Sequence, residues 1–316
     1  MSKKKKHKQK KQHKQITKKT QVEKPKLFFE KVKHFYITEY KKLFFIPIIL
    51  FVLSGIILLI TYAQTGFFMK RDVTLQGGVS LTITTNYSDL DYLESYITEK
   101  YPLSSVNIRT IEARGGIVGL IIEASDIHGE QLLNTTKEII DFSDYSIETM
   151  GSSLGSSFFK QMFVAVLVAF LFMGFVFQLY FKSLYATFAA LLSAFLDIFI
   201  TMGIMDLLNV RLTAGGIAAY LMLIGYSVDT SILLSTKLLK EESKDVNIAL
   251  FGAMKTGFTM SAAGIAATGI SFLLTNNVTL KQIMLILIVG LVIDLITTWI
   301  GNVPLLRFYL EKNVKN

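Results

Sequence analysis

Four ionisable side chains stand inside long apolar runs. Asp197 lies in LLSAFLDIFIT, Asp229 in LIGYSVDTSILL, Lys255 near the start of the run at 248–275, and Asp294 in LVIDLITTW. A charged group at bilayer depth costs at least about 2.5–3.5 kcal/mol unless it is paired or hydrated. All four are therefore expected to face inward, and Asp229 and Lys255 form the natural pair by sign. Burial and a nearby ammonium act in opposite directions on a carboxyl's hold on its proton, so such a pair is suited to a proton relay. Two blander readings stand beside it. The acids fix packing as a buried ion pair or as neutral groups bonded across helices, and Lys255 snorkels to the surface. The chemistry is ion coupling rather than bond making. The chain has no G-x-x-x-x-G-K-[ST], no H-E-x-x-H and no G-x-S-x-G, so an enzyme is not expected. With no Cys, disulfides and thiolate metal sites are excluded, and no cofactor or metal is expected.

The elements that must hold these groups are helices. Of 316 residues, 51% are hydrophobic, and the mean hydropathy is +0.46. A span needs about 20 residues to cross hydrocarbon roughly 30 Å thick. Six runs qualify: 44–63, 163–181, 184–205, 212–236, 248–275 and 283–306. The fifth opens with Gly252, Lys255, Thr256 and Gly257, which suits a helix that faces other helices. The glycines at 215, 216, 225, 257, 264 and 269 predict close approach of the fourth span to the fifth, bringing Asp229 towards Lys255. The first apolar run follows a basic segment with no small-residue cleavage site, so it reads as an uncleaved span.

Residues 1–42 hold 16 Lys. This tail is low in complexity and is expected to be disordered on its own. It reads as a topology determinant that also touches anionic lipid. A ribosomal or RNA contact is the other reading, and the lack of interleaved aromatics argues against specific nucleic-acid binding. With the N-terminus inside, the inner segments (1–42, 182, 237–246 and 307–316) carry 23 Lys or Arg, against six in 64–158 plus Arg211 and Lys281. The positive-inside rule therefore places both termini in the cytoplasm. The Asn-x-Ser/Thr sites at Asn86, Asn134 and Asn277 all fall outside on this topology.

Residues 64–158 are not membrane-like. Val79–Thr85 alternates as a strand. Ser88–Tyr101 reads as a helix opened by Ser88 and stopped by Pro102. Ser105–Ala113 and Ile117–Ala124 are strands joined at Arg114-Gly115-Gly116. Gly129–Ile140 is a second helix and Ser143–Met150 a last strand. The order β-α-β-β-α-β predicts a ferredoxin-like domain, which implies no chemistry by itself. His128 reads as a solvated loop residue.

Five local motifs, in order, resemble the SecF branch of the SecD/SecF protein-export family, within the RND-type transporter group, most closely its archaeal form. DVTLQGG (Asp72–Gly78) carries Gly77 and Gly78 of a turn after the first span. MGSSLGSSF (Met150–Phe158) leads into the second. IGYSVDTSILL (Ile224–Leu234) is similar to the fourth-span signature and holds Gly225, Tyr226, Ser227 and Thr230. MKTGFTMS (Met254–Ser261) is similar to the fifth-span signature, and DLITTW (Asp294–Trp299) followed by LLRFY to the archaeal-type ending. The resemblance covers about 40–310. It implies a six-span plasma-membrane protein with one ferredoxin-like extracytoplasmic domain between spans one and two. Its parts would be a cytoplasmic tail (1–42), span one (43–63), the domain (64–158), spans two to six (159–306) and a cytoplasmic end (307–316).

The function implied is an accessory subunit that acts with a SecD-like subunit beside a SecY-type channel on translocating unfolded polypeptides. In bacterial relatives the proton-motive force drives this, and an acid in the fourth span and a base in the fifth carry the coupling, roles that would fall on Asp229 and Lys255. Bacterial members show Asn-Asp-Thr where this chain has Val228-Asp229-Thr230, and archaeal forms often carry a second Asp where it has Ser231. Two other functions stand beside this one: half of an RND-type small-molecule or lipid exporter, and a non-transporting assembly factor.

Overall fold

The computed structural model describes residues 36, 38–72, 75, 77–104, 106–113, 116–240, 246–275 and 277–314. Nearly all of the Lys-rich tail and the Arg114-Gly115 turn lie outside these residues. Among the described residues, six helices are long and apolar enough to cross a membrane. The first, α1 (Phe45–Thr65), ends on Gly66, whose φ of +74° is the left-handed conformation that closes a helix, with its N–H on Tyr62 O at 2.8 Å. The bundle resumes with α4 (Ser152–Phe181), α5 (Leu184–Leu207) and α6 (Ala214–Ser235), the last continued by a π-helical turn at Thr236–Lys240. Then follow α7 (Val246–Leu274) and α8 (Val278–Ile296), and a second π-helical turn (Thr297–Asn302) leads into α9 (Val303–Val314). All six expected runs are found as helices, but α4 begins 11 residues before the expected run at 163–181, and the last span starts earlier and runs further, through α9 to Val314, than the expected 283–306.

Between α1 and α4 the chain forms β1 (Gly78–Ile83), α2 (Leu90–Lys100), β2 (Val106–Ala113), β3 (Gly116–Ala124), α3 (Gly129–Lys137) and β4 (Tyr145–Met150). The sheet is antiparallel throughout, in the order β2-β3-β1-β4. Alternation sorts its faces. Val79, Leu81 and Ile83 with Leu120, Ile122 and Ala124 point to one side, where Leu93, Ile97 and Leu132 of the two helices cover them in a dry core. Gly77 and Gly78 enter β1 with φ of +88° and +132°, a backbone that side-chain-bearing residues rarely adopt. The cap of α2 is Asp89 rather than Ser88: its carboxylate accepts from the Tyr92 N–H at 3.2 Å. His128 is exposed and precedes α3.

The other sheet face meets the membrane bundle. Lys70–Asp72 runs beside the α5–α6 loop, with Leu212 N–H on Lys70 O at 2.7 Å and Asp72 N–H on Leu212 O at 2.9 Å. The Arg71 guanidinium lies over the rings of Phe67 and Phe159, 4.2 and 3.9 Å from their centroids. Glu123 on β3, 2% exposed, pairs with Arg109 of β2 and, at 2.8 Å, with Arg211 of the loop. Gln282 Nε2 donates to Arg211 O at 2.5 Å. The sheet unit is thus joined to the bundle by backbone pairing and by the contact of Glu123 with Arg211.

Span six is the hub of the bundle. The glycines pack the fourth and fifth spans onto it, not onto each other. A Cβ on Gly257 would stand 2.2 Å from Cζ2 of Trp299, and one on Gly264 would stand 3.2 Å from Leu291. Gly215 faces Thr279 and Ile283, and Gly216 faces Gln282 and Ile286, while Gly225 and Gly269 have nothing within 4 Å of a Cβ position. The expected close approach of span four to span five is corrected accordingly: a large Trp299 and a row of aliphatics on span six fill the small surfaces of both.

Candidate functional site: a buried acid seam and an exposed charged face

The structure separates the four ionisable residues into two pairs, on opposite sides of α6. Asp197 and Asp294 are fully buried, at 0% exposure each. Asp229 and Lys255 are exposed, and no ion pair joins them. The expectation that all four face inward is corrected on this point. The buried stripe of α6 is Ser227, Thr230, Ser231 and Leu234, the three- and four-residue spacing of one helical face. Asp229 falls on the other stripe, with the exposed Met222, Gly225 and Tyr226.

The buried pair is built from three elements. On α5, Ser193 and Asp197 stack one turn apart. On span six, Asp294 is followed by Thr297 and Thr298, where the helix opens into its π turn, a feature that recurs at functional sites. On α6, Ser227 and Thr230 close the third side. Thr230 Oγ1 and Thr298 Oγ1 both stand 3.0 Å from Asp294 Oδ1 as donors. Thr297 Oγ1 donates to Asp197 Oδ1. Ser193 and Thr298 hydroxyls lie 3.4 Å apart, as do those of Thr230 and Thr298, and Asn302 Nδ2 donates to Ser231 Oγ at 3.3 Å. Both Oδ1 atoms therefore have donors, while Asp197 Oδ2, Asp294 Oδ2 and Ser227 Oγ have none. Among the described residues no Lys, Arg or His pairs with either acid, and no group of three or more His, Cys, Asp or Glu is placed to hold a metal ion.

The hydroxyl partners were missed by reasoning that looked only for charges. Their signal was present: Ser193 and Thr298 stand four residues from Asp197 and Asp294, the spacing that puts two polar groups on one helical face. Of the motif glycines, Gly77 and Gly78 shape the entry to β1 and Gly225 lies open. Tyr226 is 40% exposed.

At 1.5 Å per residue, Asp229 is about 16 Å from the Lys240 end of its span and Lys255 about 14 Å from the Val246 end of the next. Much of the α7 surface is exposed, as it is on α1 and α4, whereas spans three, four and six are half buried.

Six apolar helices among the described residues, carrying one small antiparallel α+β unit, define a polytopic membrane protein. Residues 129–312 match the family described as protein export membrane protein SecD/SecF, C-terminal. The chain is 32% identical over 287 residues to the protein-export membrane protein SecF of Pyrococcus furiosus, covering 90% of this chain and 95% of that one. It is 35% identical over 281 residues to the SecF of Methanolacinia petrolearia, covering 88% and 96%. The chain belongs to the SecD/SecF family. Its fold is similar to that of the crystal structure of SecDF, a translocon-associated membrane protein from Thermus, with a TM-score of 0.73 at 18% identity. It covers 87% of this chain and 38% of that one.

Proposed function

We propose that this chain is the SecF-type subunit of a protein-export complex, acting with a SecD-like subunit beside a SecY-type channel to promote movement of unfolded polypeptides across the plasma membrane. The observation that carries this is the exposure of Asp229 on α6 and of Lys255 on α7, two charged groups on membrane-spanning helices. Neither charge is tolerable against acyl chains, so a second membrane subunit covers them. The likeness to SecDF over little more than a third of that longer chain agrees with a chain that supplies one half of such a unit. In this reading the two termini are cytoplasmic, the β-α-β-β-α-β unit is a ferredoxin-like domain on the outer side, and the Lys-rich tail meets anionic lipid. No enzymatic step is assigned. Asp229 and Lys255 complete an ion-coupling site only in the complex. Moving one charge through the membrane potential supplies about 2.3 kcal/mol per 100 mV, enough to bias a conformational change.

The test has two arms. Affinity purification of the full chain from detergent should bring down a SecD-like chain and the channel, and their absence would discard the partner. Asp229→Asn and Lys255→Met should leave that complex assembled and slow secretion of a reporter. Wild-type secretion by both variants would discard the coupling role.

A further inference from the structure

We propose that the groove between α1, α5 and the end of the last span binds one anionic phospholipid, its hydrocarbon chain lying along α1 and its phosphate on Arg307. The groove is the first observation. A cavity of about 250 Å³ lies between Phe44 and Phe51 on the side of α1, Leu192 on α5 and Leu305 on α9. Ser193, Thr297 and Asn302 also border it, but they bond inward, to Thr298, Asp197 and Ser231. A space walled by apolar groups at membrane depth holds hydrocarbon rather than water, since an enclosed water needs polar partners. The second observation is a cation without a counter-charge. Arg307, in the last span, is 9% exposed. Its Nη2 donates to Asn247 Oδ1 at 2.9 Å, and its guanidinium lies over the Tyr40 ring, 4.9 Å from the centroid. Nη1 is buried with no hydrogen-bond partner, and among the described residues no carboxylate pairs with Arg307. A buried guanidinium in that state lacks both an acceptor and a neutralising charge, and a phosphate oxygen supplies the two together.

Tyr40 joins the two features. The Phe44 N–H bonds to Tyr40 O at 3.3 Å, so the two rings stand one turn apart on one face of the chain entering α1, about 5.4 Å along the axis. Phe44 borders the groove and Tyr40 carries Arg307. A lipid with its phosphate on the guanidinium therefore begins its chain one helical turn from the groove. It would tie the first span to the last, at the end of the bundle where Tyr36 already donates to Trp299 O. The pairing also sets a preference. A headgroup that adds an ammonium to the phosphate brings a second cation towards Arg307, and like charges repel, so an anionic lipid is favoured over phosphatidylcholine. The site differs from the Lys-rich tail, whose charges attract lipid without a fixed geometry.

This inference uses the membrane setting but not the export role, so either can fail alone. The test is native mass spectrometry of the full chain in detergent, incubated with phosphatidylglycerol, phosphatidylcholine or inorganic phosphate. High ammonium acetate releases lipid held only by exposed lysines. The wild type should retain one phosphatidylglycerol and shed the other two. Arg307→Gln should weaken that retention by about tenfold, the loss of one charge-assisted hydrogen bond, and Arg307→Lys should restore part of it. Leu192→Trp fills the groove, leaves Arg307 in place and should weaken retention as well; it covers the case in which an Arg307 variant fails to fold. Equal retention by the wild type and Arg307→Gln, or by the wild type and Leu192→Trp, would overturn the proposal. So would phosphatidylcholine held as well as phosphatidylglycerol, which would mean a non-selective lipid coat, or inorganic phosphate retained alone, which would make Arg307 a free-anion site.

Discussion

Glu123 should make the attachment of the sheet unit depend on pH. Its carboxyl is pushed up to about 7 from an ordinary 4.5, first by burial and then by the neighbouring Asp72, against the pull of Arg109 and Arg211. The folded state thus holds this proton more tightly than the unfolded chain does. The linked stability is fully present below pH 4.5, is lost as pH rises to about 7, and is level above that. A rise of this size corresponds to about 3 kcal/mol, since each pKa step is worth about 1.4 kcal/mol. Glu123→Gln keeps the shape and removes the titration. The assay is amide hydrogen exchange of β1 and β3 in the full chain, corrected for intrinsic exchange, between pH 4.5 and 8. Wild-type opening should become easier by up to about 3 kcal/mol across the window, while the Gln variant stays flat. Equal slopes in the two proteins, or a wild type that tightens as pH rises, would refute the assignment of this cluster.

Gly257→Ala places a methyl 2.2 Å from the Trp299 ring. It should destabilise the bundle by about 1–3 kcal/mol and shift the fluorescence of Trp299, the chain's single Trp; unchanged emission would deny the contact. Gly203→Ala meets Ser54 Cβ at 2.5 Å and its Cα at 2.8 Å, so thermal stability should fall and Ser54→Gly should restore only part of it, because the backbone clash remains. Asp89→Ala removes the cap of α2 and should cost the sheet unit about 1 kcal/mol, read as faster exchange of the Leu90–Leu93 amides.

The spans were legible because an apolar run of about 20 residues crosses a bilayer whatever its neighbours are. The strands were legible because Val79, Leu81 and Ile83 alternate with Ser80 and Thr82. The start of α2 was not, since Ser88 and Asp89 are both good caps and only backbone angles choose between them. The facing of the acids was hidden for a deeper reason. In a soluble helix the polar residues mark the outside, but in a span both stripes are apolar on average, and α6 carries hydroxyls on one and Asp229 on the other. Which stripe turns inward depends on what stands opposite. Span six presents Asp294, Thr297 and Thr298, so Ser227 and Thr230 turn to meet them. The role of Glu123 was invisible for the same reason: it lies in the strand as one charge among 13 Asp and Glu of residues 64–158, and only the sheet's placement puts Arg211 beside it.

The two faces of α6 bear on how the proposed complex would work. Asp229 and Thr230 are consecutive, so they point about 100° apart around one helix, one to the partner side and one to the buried acids. A partner that pairs with Asp229 therefore grips the same turn that supplies a donor to Asp294. A small rotation of α6 moves Thr230 Oγ1 away from Asp294 Oδ1 and leaves its proton to the Ser227 carbonyl of the same helix, already at 3.0 Å, and removing a donor from a buried carboxylate costs on the order of 1–3 kcal/mol. That is the size of a typical coupling energy between two sites. It needs no long relay, since the exposed charge and the buried one are separated by the thickness of a single helix.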